Sequence, residues 1–180
     1  SENVAEKWKI SRETQDQLAV DSNKKAVAAQ AQGLFDSEIV PVKTKVKAKD
    51  GSETEILVSK DEGPRAETTL EGLGKLKAAF KPGGSTTAGN SSQVSDGAAI
   101  VLLARRSEAK KLGLPIVGRF RSYAVVGVDP LVMGIGPAYA IPAALDKANM
   151  SVDDVDIFEV NEAFASQAVM TVNHLKIPKE

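Results

Sequence analysis

Apolar and polar positions change their spacing several times along the chain, and each change marks an element. Val4 and Trp8 begin a helical pattern, and an amphipathic segment then runs from Ser11 to Gln32 and closes at Gly33. Ser11 fits an N-cap and Gly33 a C-terminal stop, although Thr14 stands where a capping box carries Glu or Gln. From Phe35 to Val46 the period falls to two, with Val42, Thr44 and Val46 alternating with Lys43, Lys45 and Lys47. Asp50-Gly51 follows, and Thr54, Ile56 and Val58 resume the alternation, which predicts a β-hairpin around a turn with positive φ. Gly63-Pro64-Arg65 marks a loop, and a helix capped by Thr69 is expected to reach Phe80.

The second half reads differently. Gly83 through Ser95 is small and polar, which alone suggests a linker. It leads, however, into the continuous apolar run Ala98–Ala104, the pattern of a strand buried on both faces. A Gly/Ser loop on such a strand suits close packing against a ligand or another backbone. A short helix over Ser107–Leu112 and a strand over Pro115–Val126 come next. A helix over Ala138–Ala148 is expected to carry Pro142 near its first turn, before a third strand over Val155–Val160 and a helix over Phe164–Leu175. Strands alternating with helices predict an α/β sheet here, against an α+β arrangement in the first eighty or so residues.

Composition narrows the chemistry. The 23 basic and 24 acidic residues nearly cancel, so the net charge of -1 gives no overall field to attract nucleic acid or an anionic membrane. The lysine stripe of the hairpin reads as a solvated, edge-protecting face rather than a phosphate-binding ribbon. There are no cysteines, which excludes disulfides, thiolate metal sites and a cysteine nucleophile within these residues. A lone histidine, His174, makes no zinc site. No transmembrane span is expected. The chain opens on Ser1 and stops at Lys179-Glu180 just behind a helical pattern, so an internal piece of a longer protein is expected.

The candidate chemistry gathers at Asn161-Glu162, where the third strand meets the last helix. In open α/β sheets ligands bind at such joints. The residues alone favour a plainer role, with Asn161 capping the helix and Glu162 complementing its dipole. Glu159 and Glu162 need not converge as a carboxylate pair.

NEAFASQA at 161–168, preceded by the D-I-F-E-V strand, resembles the Asn-Glu-Ala-Phe motif of the thiolases. DEGPR at 61–65, TTLEGLGKLKAAF at 68–80, TTAGNSSQVSDGAA at 86–99 and VGVDPLVMGIGPAYAIPAAL at 126–145 extend the likeness collinearly over essentially all 180 residues. The loop at 88–99 and GIGPAYAIP look most like the peroxisomal 3-ketoacyl-CoA branch. The resemblance implies a partial thiolase fold, α/β and layered αβαβα when complete, with an α+β loop region inserted. Its expected divisions are 1–87 for most of the loop domain, 88–114 for the last strand of the N-terminal half, and 115–180 for the start of the C-terminal half.

It further implies that Asn161 holds a water and stabilises an enolate-like oxygen, with Glu162 supporting geometry. Ala88 and Ser92 would line the pantetheine arm of coenzyme A, Met133 and Phe164 the thioester end, and Arg65 the nucleotide end. Coenzyme A would be a substrate, with no permanent cofactor and no metal. Acyl-CoA thioesters and a second copy of the chain, in a homodimer, would be its partners. The peroxisomal matrix is the implied location, with mitochondrion or cytosol as alternatives. The family's two reactive cysteines and its Gly-His-Pro histidine do not occur here, and His174 lacks those neighbours. These residues alone are therefore expected to be inactive. A non-catalytic module that binds coenzyme A or a thiolase partner is the alternative, and a purely structural role is a third reading.

Overall fold

A computed structural model describes residues 1–178, so the Lys179-Glu180 end lies outside the described residues. Among the described residues there are six α-helices and one hairpin: α1 (Glu2–Lys7), α2 (Arg12–Ala31), β1 (Val42–Lys47), β2 (Glu53–Val58), α3 (Leu70–Gly74), α4 (Arg106–Lys111), α5 (Gly136–Ala148) and α6 (Ala165–Leu175). Single 3-10 segments lie at Ala88–Asn90, Pro130–Ile135 and Val152–Asp154.

Local signals set the first elements. Ser11 Oγ accepts from the Thr14 amide at 3.1 Å and starts α2, while Gly33 leaves it with φ +69°. Gly51 turns the hairpin at φ +87°, and Asp50 Oδ1 accepts from the Ser52 amide at 2.9 Å and from its hydroxyl at 2.7 Å. Those bonds hold the Asp50 carboxyl below its ordinary pKa. The antiparallel register pairs Val42 with Val58, Thr44 with Ile56 and Val46 with Thr54. All twelve residues of the two strands are exposed, so both faces of the ribbon are solvated.

The core forms around α6, which packs on α1, α2 and α5. Val4, Ile10, Val132, Ile135, Ala138, Val169 and Met170 make one buried cluster, with Trp8, Leu18 and Val128 against it. α6 also buries polar groups, each with an outlet: Ser166 donates to the Ser1 carbonyl at 3.3 Å, and Thr171 donates to the Gln167 carbonyl at 3.0 Å. Burying such groups without partners would cost stability.

Several expectations require correction. The runs Ala98–Ala104, Pro115–Val126 and Val155–Val160 are not in strands, and among the described residues β1–β2 is the one sheet. Ile100 is 99% and Val117 100% exposed, the opposite of a strand buried on both faces. The reason is that a strand needs a hydrogen-bonded neighbour, and these segments have none beside them. Ser122 Oγ donates to the Ala144 carbonyl at 2.6 Å and Lys147 Nζ to the Tyr123 carbonyl at 3.1 Å, so side chains rather than a ladder tether the second run to α5.

The first strand begins at Val42 rather than Phe35, because turns continue after Gly33. The helix after Thr69 ends at Gly74 rather than Phe80, consistent with glycines at 72 and 74. α5 starts at Gly136, which puts Pro142 at its seventh residue, past the first turn. There it cannot donate to the Ala138 carbonyl. α6 starts at Ala165 with Phe164 in the cap position, so Asn161 is not its N-cap.

Glu2 fastens the start of the chain to the loop after α3. Its carboxylate accepts from the Ser85 amide at 2.9 and 3.0 Å, the Thr86 amide at 2.8 Å and the Ser85 hydroxyl at 3.2 Å. Burial works to raise its pKa, but the bonds from Thr86 and Ser85 outweigh it and the net shift is downward. A carboxylate with a lowered folded pKa contributes stability that is full above the unfolded pKa and is lost as pH falls through the folded one. The melting temperature of wild type should therefore exceed that of Glu2→Gln near neutral pH, with the gap closing as the pH drops below the ordinary glutamate range. A gap that persists under acid would remove the ionised carboxylate from this account.

Candidate functional site

The site is built where the small-residue loop meets the segment before α6. Thr86, Thr87 and Asn90 are buried although they are polar. The Thr87 amide donates to Asn90 Oδ1 at 2.8 Å, the Gly89 amide to Thr87 Oγ1 at 3.2 Å, and Ser91 Oγ to the Thr87 carbonyl at 2.7 Å. The loop thus folds on itself into a single tight turn. Gly89 lies directly on α3 and the residue pair behind it, since a Cβ there would collide with the Leu73 and Leu76 side chains.

This turn is joined to the distant Asn-Glu-Ala-Phe segment by backbone. Ser91 and Phe164 form an isolated antiparallel bridge, and the Ser92 amide donates to the Ala163 carbonyl at 2.9 Å. Two further bonds seat the segment: Gln167 Nε2 donates to the Asn161 carbonyl at 3.1 Å, and Ser22 of α2 donates through Oγ to Glu162 Oε2 at 2.7 Å. Between α2, the loop and this segment lies an open cleft of about 250 Å³, lined in part by Ser22, Asn23, Ser91, Ser92, Asn161 and Glu162.

The six residues singled out from the sequence fall as follows. Asn161 and Ser92 are exposed and line this one cleft. Ala88 is exposed in the tight turn beside it. Phe164 is half-buried at the bridge, with its ring edge-on to Phe80 at 6.3 Å. Arg65 is exposed, and its amide donates at 2.9 Å to Oδ1 of Asn23, whose side chain helps line the cleft. Met133 is 72% exposed on the 3-10 segment Pro130–Ile135 and does not line the cleft. Glu162 is held through Ser22, while Glu159 is exposed and does not line the cleft.

Sequence reading missed Ser22, Asn23 and Asn90, which complete the cleft wall. No sequence signal marked them, because only packing shows that the polar face of α2 carrying Gln15 and Asp16 is as buried as Val20. Among the described residues no cluster of His, Asp and Glu is arranged to hold a metal ion, and no helix is long and apolar enough to cross a membrane. The chemistry open to the cleft is hydrogen bonding to side-chain amides, hydroxyls, backbone and the Glu162 carboxylate, beside the small side chains of the loop.

Solved structures identify the class first. The dimeric peroxisomal thiolase of Saccharomyces cerevisiae matches with a TM-score of 0.87 at 51% identity, over 99% of this chain and 44% of that one. Human mitochondrial 3-ketoacyl-CoA thiolase matches with a TM-score of 0.88 at 44% identity, over 98% of this chain and 44% of that one. The architecture is accordingly a portion of the α/β thiolase fold. The description "Thiolase, N-terminal domain" matches residues 1–107 and "Thiolase, C-terminal domain" residues 114–180, and the chain belongs to the thiolase family. It is 67% identical to mouse (Mus musculus) peroxisomal 3-ketoacyl-CoA thiolase A and 64% identical to human (Homo sapiens) peroxisomal 3-ketoacyl-CoA thiolase, each over 180 residues. All of this chain is matched in both cases, and it spans 42% of the length of each relative.

Gly89 gives a direct check on how the cleft is held. Gly89→Ala must push Leu73 and Leu76 aside, an overpacking change expected to cost about 1–3 kcal/mol in chemical denaturation. Wild-type stability in that variant would mean that the turn does not rest on α3.

Proposed function

We propose that these residues belong to a 3-ketoacyl-CoA thiolase, which cleaves 3-ketoacyl-CoA with coenzyme A to acetyl-CoA and a shortened acyl-CoA in fatty-acid β-oxidation. The observation that carries this reading is the 67% identity to a peroxisomal 3-ketoacyl-CoA thiolase without a gap in coverage of this chain. The cleft supports it, because the loop and the Asn-Glu-Ala-Phe segment, about seventy residues apart in sequence, are bonded into one surface.

Roles follow from side-chain chemistry. Asn161 presents an amide that donates to a water or a developing enolate oxygen without titrating near neutral pH. Ala88 and Ser92 leave room for the narrow pantetheine arm. Phe164 and Met133 supply apolar surface toward the thioester, and the Arg65 guanidinium pairs with phosphate or stacks on the base at the nucleotide end. In the reaction a thiolate attacks the 3-keto carbon, the Cα–Cβ bond breaks to leave the acetyl-CoA enolate, and a protonated thiol returns a proton to that enolate. The acyl group then passes to the coenzyme A thiol. With no cysteine among these 180 residues, the reacting thiols come, on this reading, from elsewhere in a working enzyme, and these residues alone are expected to be inactive.

The same reading assigns 1–87 to most of the loop domain, 88–114 to the end of the N-terminal half and 115–180 to the start of the C-terminal half. It also places the enzyme in the peroxisomal matrix as a homodimer, with coenzyme A as substrate and no resident cofactor. The absence of cysteine equally favours a second reading, a module that binds coenzyme A or a thiolase partner without chemistry.

The test is turnover of 3-ketoacyl-CoA by the native polypeptide that carries this sequence, with its mass measured under denaturing conditions. CoA-dependent cleavage, with Asn161→Ala lowering kcat by roughly 10²–10³-fold as for loss of an oxyanion donor, is expected. A native product of 19.0 kDa that binds coenzyme A without turnover would establish the second reading instead.

A further inference from the structure

Behind the cleft lies a buried polar cluster to which the proposed reaction assigns no task. Asp16 of α2 is 2% exposed and Asn90 of the tight turn 3%. Asp16 Oδ1 accepts from Asn90 Nδ2 at 2.8 Å, and Asp16 Oδ2 accepts from Arg12 Nε at 2.7 Å. Arg12 Nη2 goes on to donate to the carbonyls of Leu73 at 2.6 Å and Leu76 at 3.1 Å, tying α2 to the α3 region on which Gly89 rests. Asn90 spends its remaining capacity on the turn itself, accepting from the Thr87 amide at 2.8 Å and donating to the Ser85 carbonyl at 3.0 Å.

Both Asp16 oxygens serve as acceptors, one for Arg12 and one for Asn90, so Asp16 fixes which end of the Asn90 amide faces α2. With Nδ2 turned to Asp16, Oδ1 is left for the Thr87 amide, and the turn closes in one register. That register passes through the Ser91–Phe164 bridge and the bond from the Ser92 amide to the Ala163 carbonyl into the segment that carries Asn161.

We propose that Asp16 is a positioning residue for the thioester site: by orienting Asn90 it sets where Ser92 and Asn161 stand across the cleft. This rests on the functional reading above. A purely structural core aspartate would alter stability without altering the kinetics of the folded enzyme.

The native polypeptide carrying these residues is assayed as wild type, Asp16→Asn, Asp16→Asn with Asn90→Asp, and Arg12→Lys. In Asp16→Asn the new amide can face only one of Arg12 and Asn90 with its oxygen, and the other meets a donor. kcat is expected to fall by roughly ten- to a hundredfold, the scale of a small misplacement of reacting groups. The swapped pair restores an acceptor to Arg12 and a complementary bond between positions 16 and 90, but it gives up the Arg12 ion pair and turns a carboxylate oxygen toward the Ser85 carbonyl in place of the donating Nδ2. It should regain part of the lost kcat. Wild-type kcat and KM in a folded Asp16→Asn, or a loss matching only its unfolded fraction, overturns the proposal.

If Asp16→Asn does not fold, Arg12→Lys decides. A several-fold drop in kcat with an unchanged melting temperature supports the chain of contacts, and wild-type kinetics refutes it. Should wild type show no CoA-dependent turnover, the functional reading falls by itself. Positioning is then judged by hydrogen exchange at the Ser92 amide, which Asp16→Asn or, where that does not fold, Arg12→Lys should quicken at unchanged melting temperature. Equal protection refutes it.

Discussion

The hydrogen bond from the Ser92 amide to the Ala163 carbonyl, with the Ser91–Phe164 bridge beside it, is the constraint on which the site depends. It is a short antiparallel contact between two segments that make no longer ladder. On one side stands a turn held by Asn90 and Gly89 against α2 and α3; on the other, Phe164 begins α6, the helix at the centre of the core. The joint transmits the rigidity of a buried helix to a loop whose own side chains bury little apolar area.

What the sequence made legible was local. Ser11, Gly33, Asp50-Gly51 and Thr69 each act within a few residues, and each does in the structure what its chemistry predicts. The apolar runs at 98–104 and 115–126 were misread for the converse reason. Their composition favours strand, but pairing is a property of two segments, and among the described residues neither run has a hydrogen-bonded ladder partner. Asn161 was misjudged as a cap by the same local logic, because helix-start chemistry and the actual start differ by three residues.

The site shows a similar division. A loop of small residues beside an apolar run already suggested close approach, and Ser92 and Asn161 do share a cleft. The clamp behind it was hidden. Arg12 and Asp16 are spaced i, i+4 on a charged helix, the signature of a solvated surface pair, and only tertiary packing reveals the aspartate as buried.

The polar character of that clamp follows from the loop's composition. Apolar burial contributes about 25 cal/mol per Å², so Leu and Met side chains can hold a segment down by area. A turn of Thr, Ala, Gly, Asn and Ser has little such area to offer, and larger residues would close the cleft it borders. It must be fixed by direction instead, through hydrogen bonds each of about 1 kcal/mol net, more where one partner is charged. Asp16 is such a partner for Asn90, and Glu162 for Ser22. A buried carboxylate at Asp16 and an exposed one at Glu162, beside a floor of small residues, are thus the physical counterpart of keeping that floor small.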